Sequence, residues 1–322
     1  TGILECIKNQ DYDHNNMEVV LVDGASTDNT RALMCEFAHD NKDEFRRVVV
    51  LDNPKKTLPS GWNVALREYK GDAIIKVDAH AVIPEDFVSK NVRVLETGEY
   101  ICGGQRPNII DKPTPFKETL LLAESSMFGS SIASYRNNPG KTYVKSLFHA
   151  AYRREVFEKV GFFNEELVRT EDNEIHYRMR KAGYKLCFDP DIISYQYTRS
   201  SLKAMLKQKY ANGYWIGKTS KVCPKCLSIY HFVPFAFVSA IIASGSVIGA
   251  TGLAECIKKR HNHTLGKGIS ALRKVTVVLT TVMWVLYALM ASGMAAVSAF
   301  KAEDKRNITN ACLPVLLSLI HI

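Results

Sequence analysis

The sequence predicts an α/β domain, a mostly parallel sheet covered by helices, leading into membrane helices toward its C-terminal end. Three observations carry that expectation. Short β-branched runs alternate with helical stretches over the first 198 residues, as in strands joined by helical crossovers. Acidic and basic side chains are mixed over the same residues, as on a surface in water. Beyond them, residues 229–254 and 275–300 contain no Asp, Glu, Lys or Arg, and each run exceeds the roughly 20 residues of a bilayer-spanning helix.

The elements follow in order. The opening TGILECIKNQDY reads as the inside of a helix, so the chain is expected to lack something before it. Met17–Val22 is a short apolar strand ending at Asp23-Gly24. Ser26 is an expected N-cap for the next helix, with Asp28 suited to its positive end. Arg47–Leu51 is a second strand, followed by a loop with Asn53 and Pro54, and Ser60 is the expected cap of a helix through Trp62, Ala65 and Leu66. Asp72–Val77 is a third strand. Gly103-Gly104 closes a further extended run, and 115–133 reads as helical. Asn137 to Gly140 is a turn cluster expected to be mobile, and His149–Tyr152 is short and apolar. Thr170 is placed to cap a helix with Ile175 and Met179 on its apolar face, which stops at Gly183.

Two patterns carry chemistry. In KVDAHAV, one residue separates Asp78 from His80, so an extended backbone would put both side chains on one face. The pair reads either as a divalent-cation site or as a solvated loop cap. Asp23 and Asp78 both close strands, and ligands in such sheets bind at the carboxyl ends of strands, so both are expected to face one crevice. Glu171 and Asp172 occupy the first turn of their helix. They either complement the helix dipole or include a carboxylate held ready to accept a proton.

The formal charge of +9 is uneven. Arg199, Lys203, Lys207, Lys209, Lys218, Lys221 and Lys225 follow one another with no acid between them. Apolar segments come next, so the partner expected for this belt is an anionic membrane surface. No aromatic-interleaved module supports nucleic acid. The first apolar segment holds Pro234, Gly245, Gly249 and Gly252, so it either spans or bends back. The basic link after it leaves the orientation open. Cys223-Pro-Lys-Cys226 has no second pair to complete a zinc ribbon, and reduced thiols are expected throughout. The closing LPVLLSLIHI stops inside a further apolar run, 311–322. The expected divisions are a catalytic domain at 1–198, a basic amphipathic segment at 199–228 and a membrane region at 229–322.

VDGASTDNT, the KVDAH strand end, VGFFNEELVRTEDNEIHYRMRKAGYK and the later QKYANGYW occur in the order seen in family 2 glycosyltransferases. The chain resembles that family over nearly its whole length, most of all the succinoglycan-type exopolysaccharide branch, where D-A-H stands in place of D-x-D. The resemblance implies a GT-A fold, Rossmann-like, whose first strand would precede residue 1. It implies a nucleotide-sugar donor, usually a UDP-sugar, bound by Asp23, Ser26, Asn53, Asn63 and Asp78. It implies a divalent cation, Mn2+ or Mg2+, at Asp78 and His80, with imidazole favouring manganese. Asp172 would be the catalytic base with Glu171 beside it, and Gln208, Gly213 and Trp215 would face the acceptor near the membrane. The implied protein is an inverting hexosyltransferase extending a lipid-linked saccharide at the bacterial inner membrane, its catalytic domain cytoplasmic. A polyprenyl-phosphate glycosyltransferase and a non-catalytic nucleotide-sugar-binding scaffold are the alternatives. Gln208 is followed by Lys209, Tyr210, Ala211 and Asn212, so the Q-x-x-R-W of processive synthases is not met, and single-sugar addition is expected.

Overall fold

The computed structural model describes residues 2–125, 140–260 and 266–301. They fall into two units, 1–112 with 130–227 and 113–129 with 228–322. In chain order the elements are α1 (Gly2–Lys8), β1 (Glu18–Asp23), α2 (Thr30–Asp40), β2 (Arg47–Asp52), α3 (Leu58–Glu68), β3 (Ala73–Ile75), β4 (Ala81–Val82), α4 (Phe87–Glu96), β5 (Ile101–Gln105), β6 (Asn108–Ile109), α5 (Pro115–Ser125), β7 (Thr142–Val144), β8 (Ala151–Arg153), α6 (Arg154–Val160), α7 (Glu171–Lys181), β9 (Leu186–Ile193), β10 (Tyr195–Tyr197), α8 (Leu202–Val222), α9 (Val233–Arg260) and α10 (Lys267–Lys301).

In the first unit, β1 and β2 pair in parallel and end together, Asp23 opposite Asp52. Burial alternates along β1, so Asp23 closes the same inward face as Val19 and Leu21. A second sheet runs β3-β8-β5-β9-β7, and a third β4-β10-β6. The α/β class stands, but the sheet direction is mixed rather than mostly parallel. β8 is antiparallel to both β3 and β5, while β5 and β9 are parallel. The register of β5 on β9 shifts around Gly104, where a Cβ would overlap the carbonyl oxygens of Ile192 and Asp189. Only glycine fits there.

The core of this unit is centred on Ile101, Tyr152, Ile175, Met179, Leu186 and Phe188. Burying each such side chain contributes about 1.5–3 kcal/mol. Ile175 and Met179 lie four apart on the inward face of α7, and Gly183 stops that helix with φ of +96°.

Several local expectations are corrected. The third strand covers only Ala73–Ile75, not 72–77. Beyond it the chain turns, and the Ala81 N–H donates to the Asp78 carbonyl at 3.0 Å, so Asp78 and His80 are not in extended backbone. Ser26 does not cap α2, whose cap position is Asn29; its first N–H, on Thr30, donates to the Asp28 carboxylate at 3.0 Å. Ser60 lies inside the first turn of α3 rather than at its cap, which is Thr57. Thr170 does sit at the cap of α7, yet its hydroxyl pairs with that of Thr219 instead of a helix N–H. The helix expected at 115–133 is described over Pro115–Ser125. The rest of that stretch, Asn137–Pro139 and the apolar run 311–322 lie outside the described residues.

In the second unit, Ile229–Arg260 and Lys267–Met294 are long and apolar enough to cross a membrane. The first of these segments does not bend back. α9 continues unbroken through Gly245, Gly249 and Gly252, and Pro234 stands at its second residue, where a missing N–H costs nothing. Phe237 packs against Trp284 and Tyr287 of α10, with ring centroids 5.9 and 5.2 Å apart.

Candidate active site

The start of α7 carries a cluster of little-exposed charges. Lys76, just past β3, is 4% exposed and points its ammonium at two carboxylates. Its Nζ lies 2.5 Å from Asp172 Oδ1 and 3.8 Å from Glu171 Oε1. The rings of Trp62, Phe163 and Phe148 surround the same ammonium at 5.1, 5.6 and 5.9 Å. Burial opposes the lysine charge, but Asp172, Glu171 and Asp78 more than restore it, and its pKa rises. Two acids share one cation, so one of them is driven toward its neutral form. That acid is Glu171, pushed up to about 8 by burial first and by Asp172 second; its Oε2 has no hydrogen-bond partner. Behind them, His176 is fully buried between Tyr152 Oη at 2.8 Å and Ser146 Oγ at 3.0 Å, and burial lowers its pKa to about 4. This neutral network clamps the first turns of α7 to β8.

Asp78 follows two residues after Lys76. Burial opposes its ionisation, yet His149, Lys76 and His80 hold it well below the usual carboxylate range. His149 Nε2 lies 3.7 Å from Asp78 Oδ2. His80 is exposed, and its Nε2 is 3.3 Å from Gln196 Nε2. Among the described residues, no three His, Cys, Asp or Glu converge on one point, so any cation would take further ligands from substrate or water.

The loops after β1 and β2 are held differently. Asp23 is buried, and its carboxylate accepts the Ser26 N–H at 3.2 Å, across an Ala25 forced to φ of +60°. Asn53 donates to the Thr57 carbonyl and accepts from Ser60 Oγ, at 2.8 and 2.9 Å. Gly24, Asn53, Trp62, Asp78 and His80 line one cavity of about 1220 Å³ that also runs along β1 and β3, but the expected pairing of Asp23 with Asp78 in one crevice is not found, since neither Asp23 nor Ser26 lines it. Asn63 is not available to a donor. Its Oδ1 accepts from the Phe163 N–H, and its two amide protons go to the Phe163 carbonyl and Glu165, all at 2.9 Å. It ties α3 to the loop before α7.

Residues 2–161 match the family model described as glycosyl transferase family 2. These residues are a glycosyl transferase family 2 domain. Its relatives include the succinoglycan biosynthesis protein ExoA of Rhizobium meliloti, 30% identical over 203 residues, which are 62% of this chain and 59% of that protein. The chain therefore spans about three-fifths of that relative. A Methanococcus voltae glycosyltransferase, named for transfer of a diacetamido-dideoxy-glucuronosyl group to dolichyl N-acetylglucosaminyl phosphate, is 26% identical over 250 residues, 76% of either chain. Among solved structures, a mannosyltransferase from Pyrobaculum calidifontis in complex with GDP-Man and Mn2+ aligns with a TM-score of 0.53 at 16% identity. It covers 99% of this chain and 84% of that one. That likeness bears out the GT-A fold.

Beyond the family 2 domain, α8 follows β10. Gln208 and Trp215, seven residues apart, share a half-buried face, whereas Gly213 lies on the exposed one. The expected acceptor trio is thus divided. Gln208 accepts from Arg199 Nε at 3.3 Å, and Lys218 covers the Trp215 ring at 4.9 Å. Lys203, Lys207, Lys218 and Lys221 are exposed on the side shared by Leu206, Tyr210 and Tyr214. Sequence reasoning missed Lys76 and His149. The one available signal for Lys76 was a lysine ending a β-branched apolar run.

Proposed function

We propose that this chain is a membrane-anchored inverting glycosyltransferase that moves a sugar from a nucleotide-sugar, a UDP-sugar, to a lipid-linked saccharide. The carrying observation is the Lys76–Asp172 pair at the head of α7: a carboxylate fixed through one oxygen by a buried cation. Asp172 takes the proton of the acceptor hydroxyl. The acceptor oxygen then bonds to the anomeric carbon opposite the leaving group, the bond to the diphosphate breaks, and the configuration inverts. Glu171, neutral near pH 7, leaves Asp172 as the base. Asp78 and a histidine beside it would hold a divalent cation, which when bound neutralises charge developing on the leaving diphosphate. The residues present fit such an ion, since the Asp78 carboxylate and His149 Nε2, which makes no hydrogen bond, face each other at 3.7 Å. Manganese suits an imidazole ligand better than magnesium, and the Pyrobaculum relative by fold holds Mn2+.

Two apolar helices support anchoring, and the names of the Rhizobium and Methanococcus relatives support exopolysaccharide synthesis and a lipid-borne acceptor. The site proposed is the bacterial inner membrane, with the catalytic unit on the cytoplasmic side. The lysine and tyrosine side of α8 would rest on anionic lipid, each charge contributing about 1 kcal/mol. A chain ended at residue 228 should sediment with anionic vesicles at low salt, release as salt rises, and ignore neutral vesicles; binding indifferent to salt and lipid charge contradicts this docking.

The activity is tested by offering the full chain radiolabelled nucleotide-sugars with a polyprenyl pyrophosphate saccharide or with polyprenyl phosphate. Label is expected on the pyrophosphate-linked saccharide. Label on polyprenyl phosphate alone would select direct lipid-phosphate glycosylation, and no labelled lipid from any donor would leave a non-catalytic binding protein.

A further inference from the structure

Two histidines flank Asp78, and they differ in what their nitrogens already do. Gln196 Oε1 accepts from Arg106, which fixes its amide orientation and turns its NH2 toward His80. An NH2 group can only donate, so the His80 Nε2 lone pair is the acceptor of that contact. His149 is the reverse case. It is 4% exposed, its Nδ1 pairs with Ser194 Oγ at 2.8 Å, and its Nε2 has no hydrogen-bond partner. That Nε2 faces the Asp78 carboxylate at 3.7 Å, too far for a hydrogen bond.

An unpaired buried nitrogen opposite a carboxylate is costly unless something lies between them. With its proton on Nδ1, donated to Ser194, a neutral imidazole directs the Nε2 lone pair at Asp78. Ring nitrogens that ligate metals are oriented in this way, by an outer partner on the other nitrogen.

We propose that His149 Nε2, and not His80, is the nitrogen ligand of the divalent cation that Asp78 carries. The cation then binds on the buried side of the D-A-H turn, and His80 is left at the mouth with Gln196. His149 lies 71 residues beyond Asp78, at the entrance to β8, so the motif contributes one of its two expected ligands and the second sheet contributes the other. The proposal rests on the transferase reading only for what the cation does, not for where it binds.

The test is Mn2+ titrated into the full chain, with and without UDP, with electron spin echo modulation reading nitrogen coupled to the bound ion. Chains carrying 15N-histidine assign the coupling to imidazole. Nitrogen modulation is expected in the unaltered protein and in His80→Ala. In His149→Gln it should be lost, with Mn2+ affinity at least about tenfold weaker, since even outer-shell partners are worth that much. If His149→Gln does not fold, His80→Ala decides alone, its site being exposed: modulation kept supports His149, modulation lost overturns it. An unaltered protein without nitrogen modulation also overturns it. No turnover is needed, so a chain that binds Mn2+ through His149 but transfers no sugar would defeat the transferase reading and leave this one standing.

Discussion

The carboxylate site at the head of α7 and the loops after β1 and β2 belong to one unit but are built on opposite plans. At α7 the charges are buried and paired before any substrate arrives: Lys76 is committed to Asp172, and His176 to Tyr152 and Ser146. In the loops the side chains are largely exposed, and two non-glycine residues sit in left-handed backbone, Ala25 at +60° and Lys56 at +58°. Such conformations cost about 1–2 kcal/mol each and persist only where neighbours impose them. On the proposed reading, the difference teaches that the geometry of proton transfer would be fixed by the core, while the grip on the donor would be left to surface turns. The KVDAH segment joins the two plans, giving Lys76 to one and Asp78 to the other.

The sharpest way to break this contrast is Lys76→Met. It leaves the buried Glu171 and the half-buried Asp172 without their cation, and removing one partner of a buried pair costs about 3–5 kcal/mol. Chemical denaturation should show a loss of that size, and adding Asp172→Asn should recover part of it. A loss below about 1 kcal/mol would mean the pair is not a preorganised unit.

A smaller effect follows from Glu171. Its folded pKa of about 8 lies above the 4.5 of a free side chain, so the native state keeps a proton that the unfolded chain has released. Stability therefore falls as pH rises from about 4.5 to about 8, then levels. His176 acts at the other end. Burial depresses it to about 4, so its contribution is lost as pH falls below about 6.5. Glu171→Gln should flatten the decline in melting temperature between about pH 6 and about pH 8 and raise stability at the upper end. An unchanged slope would assign that decline elsewhere.

The smallest effect belongs to the loop side. Ala25→Gly relieves left-handed strain but loosens the unfolded chain, so the net change should stay within about 1 kcal/mol. Donor affinity should move more than the rate of transfer from bound donor. A lower rate at unchanged affinity would tie the loop to chemistry and erase the contrast.

Much of this was legible before any coordinates. The inward Asp23 follows from alternation along β1, the limits of α7 from Thr170 and Gly183, and the apolar helices from uncharged length. What could not be read lies in contacts between distant residues. Lys76 meets Asp172 across 96 positions, and His149 meets Asp78 across 71, with nothing local to mark either pair. Asn63 reads as a polar side chain free for a ligand, because its three partners come from a loop 100 residues away. Ser26 and Ser60 are good caps by type, but each lies beside a stronger claim: Asp28 takes the Thr30 N–H, and Asn53 takes the Ser60 hydroxyl. Sheet direction was missed because β3 and β5 both flank β8, and a short apolar run carries no direction of its own.

The central claim is that Asp172 is the base and that the fold, not the donor, sets it in place. Asp172→Asn keeps the shape and removes the proton acceptor. Donor affinity by titration calorimetry should stay within about twofold, while transfer to the lipid-linked acceptor falls by about a hundredfold or more. Transfer near the unaltered rate, with Asn at 172 and the donor bound normally, would contradict the account.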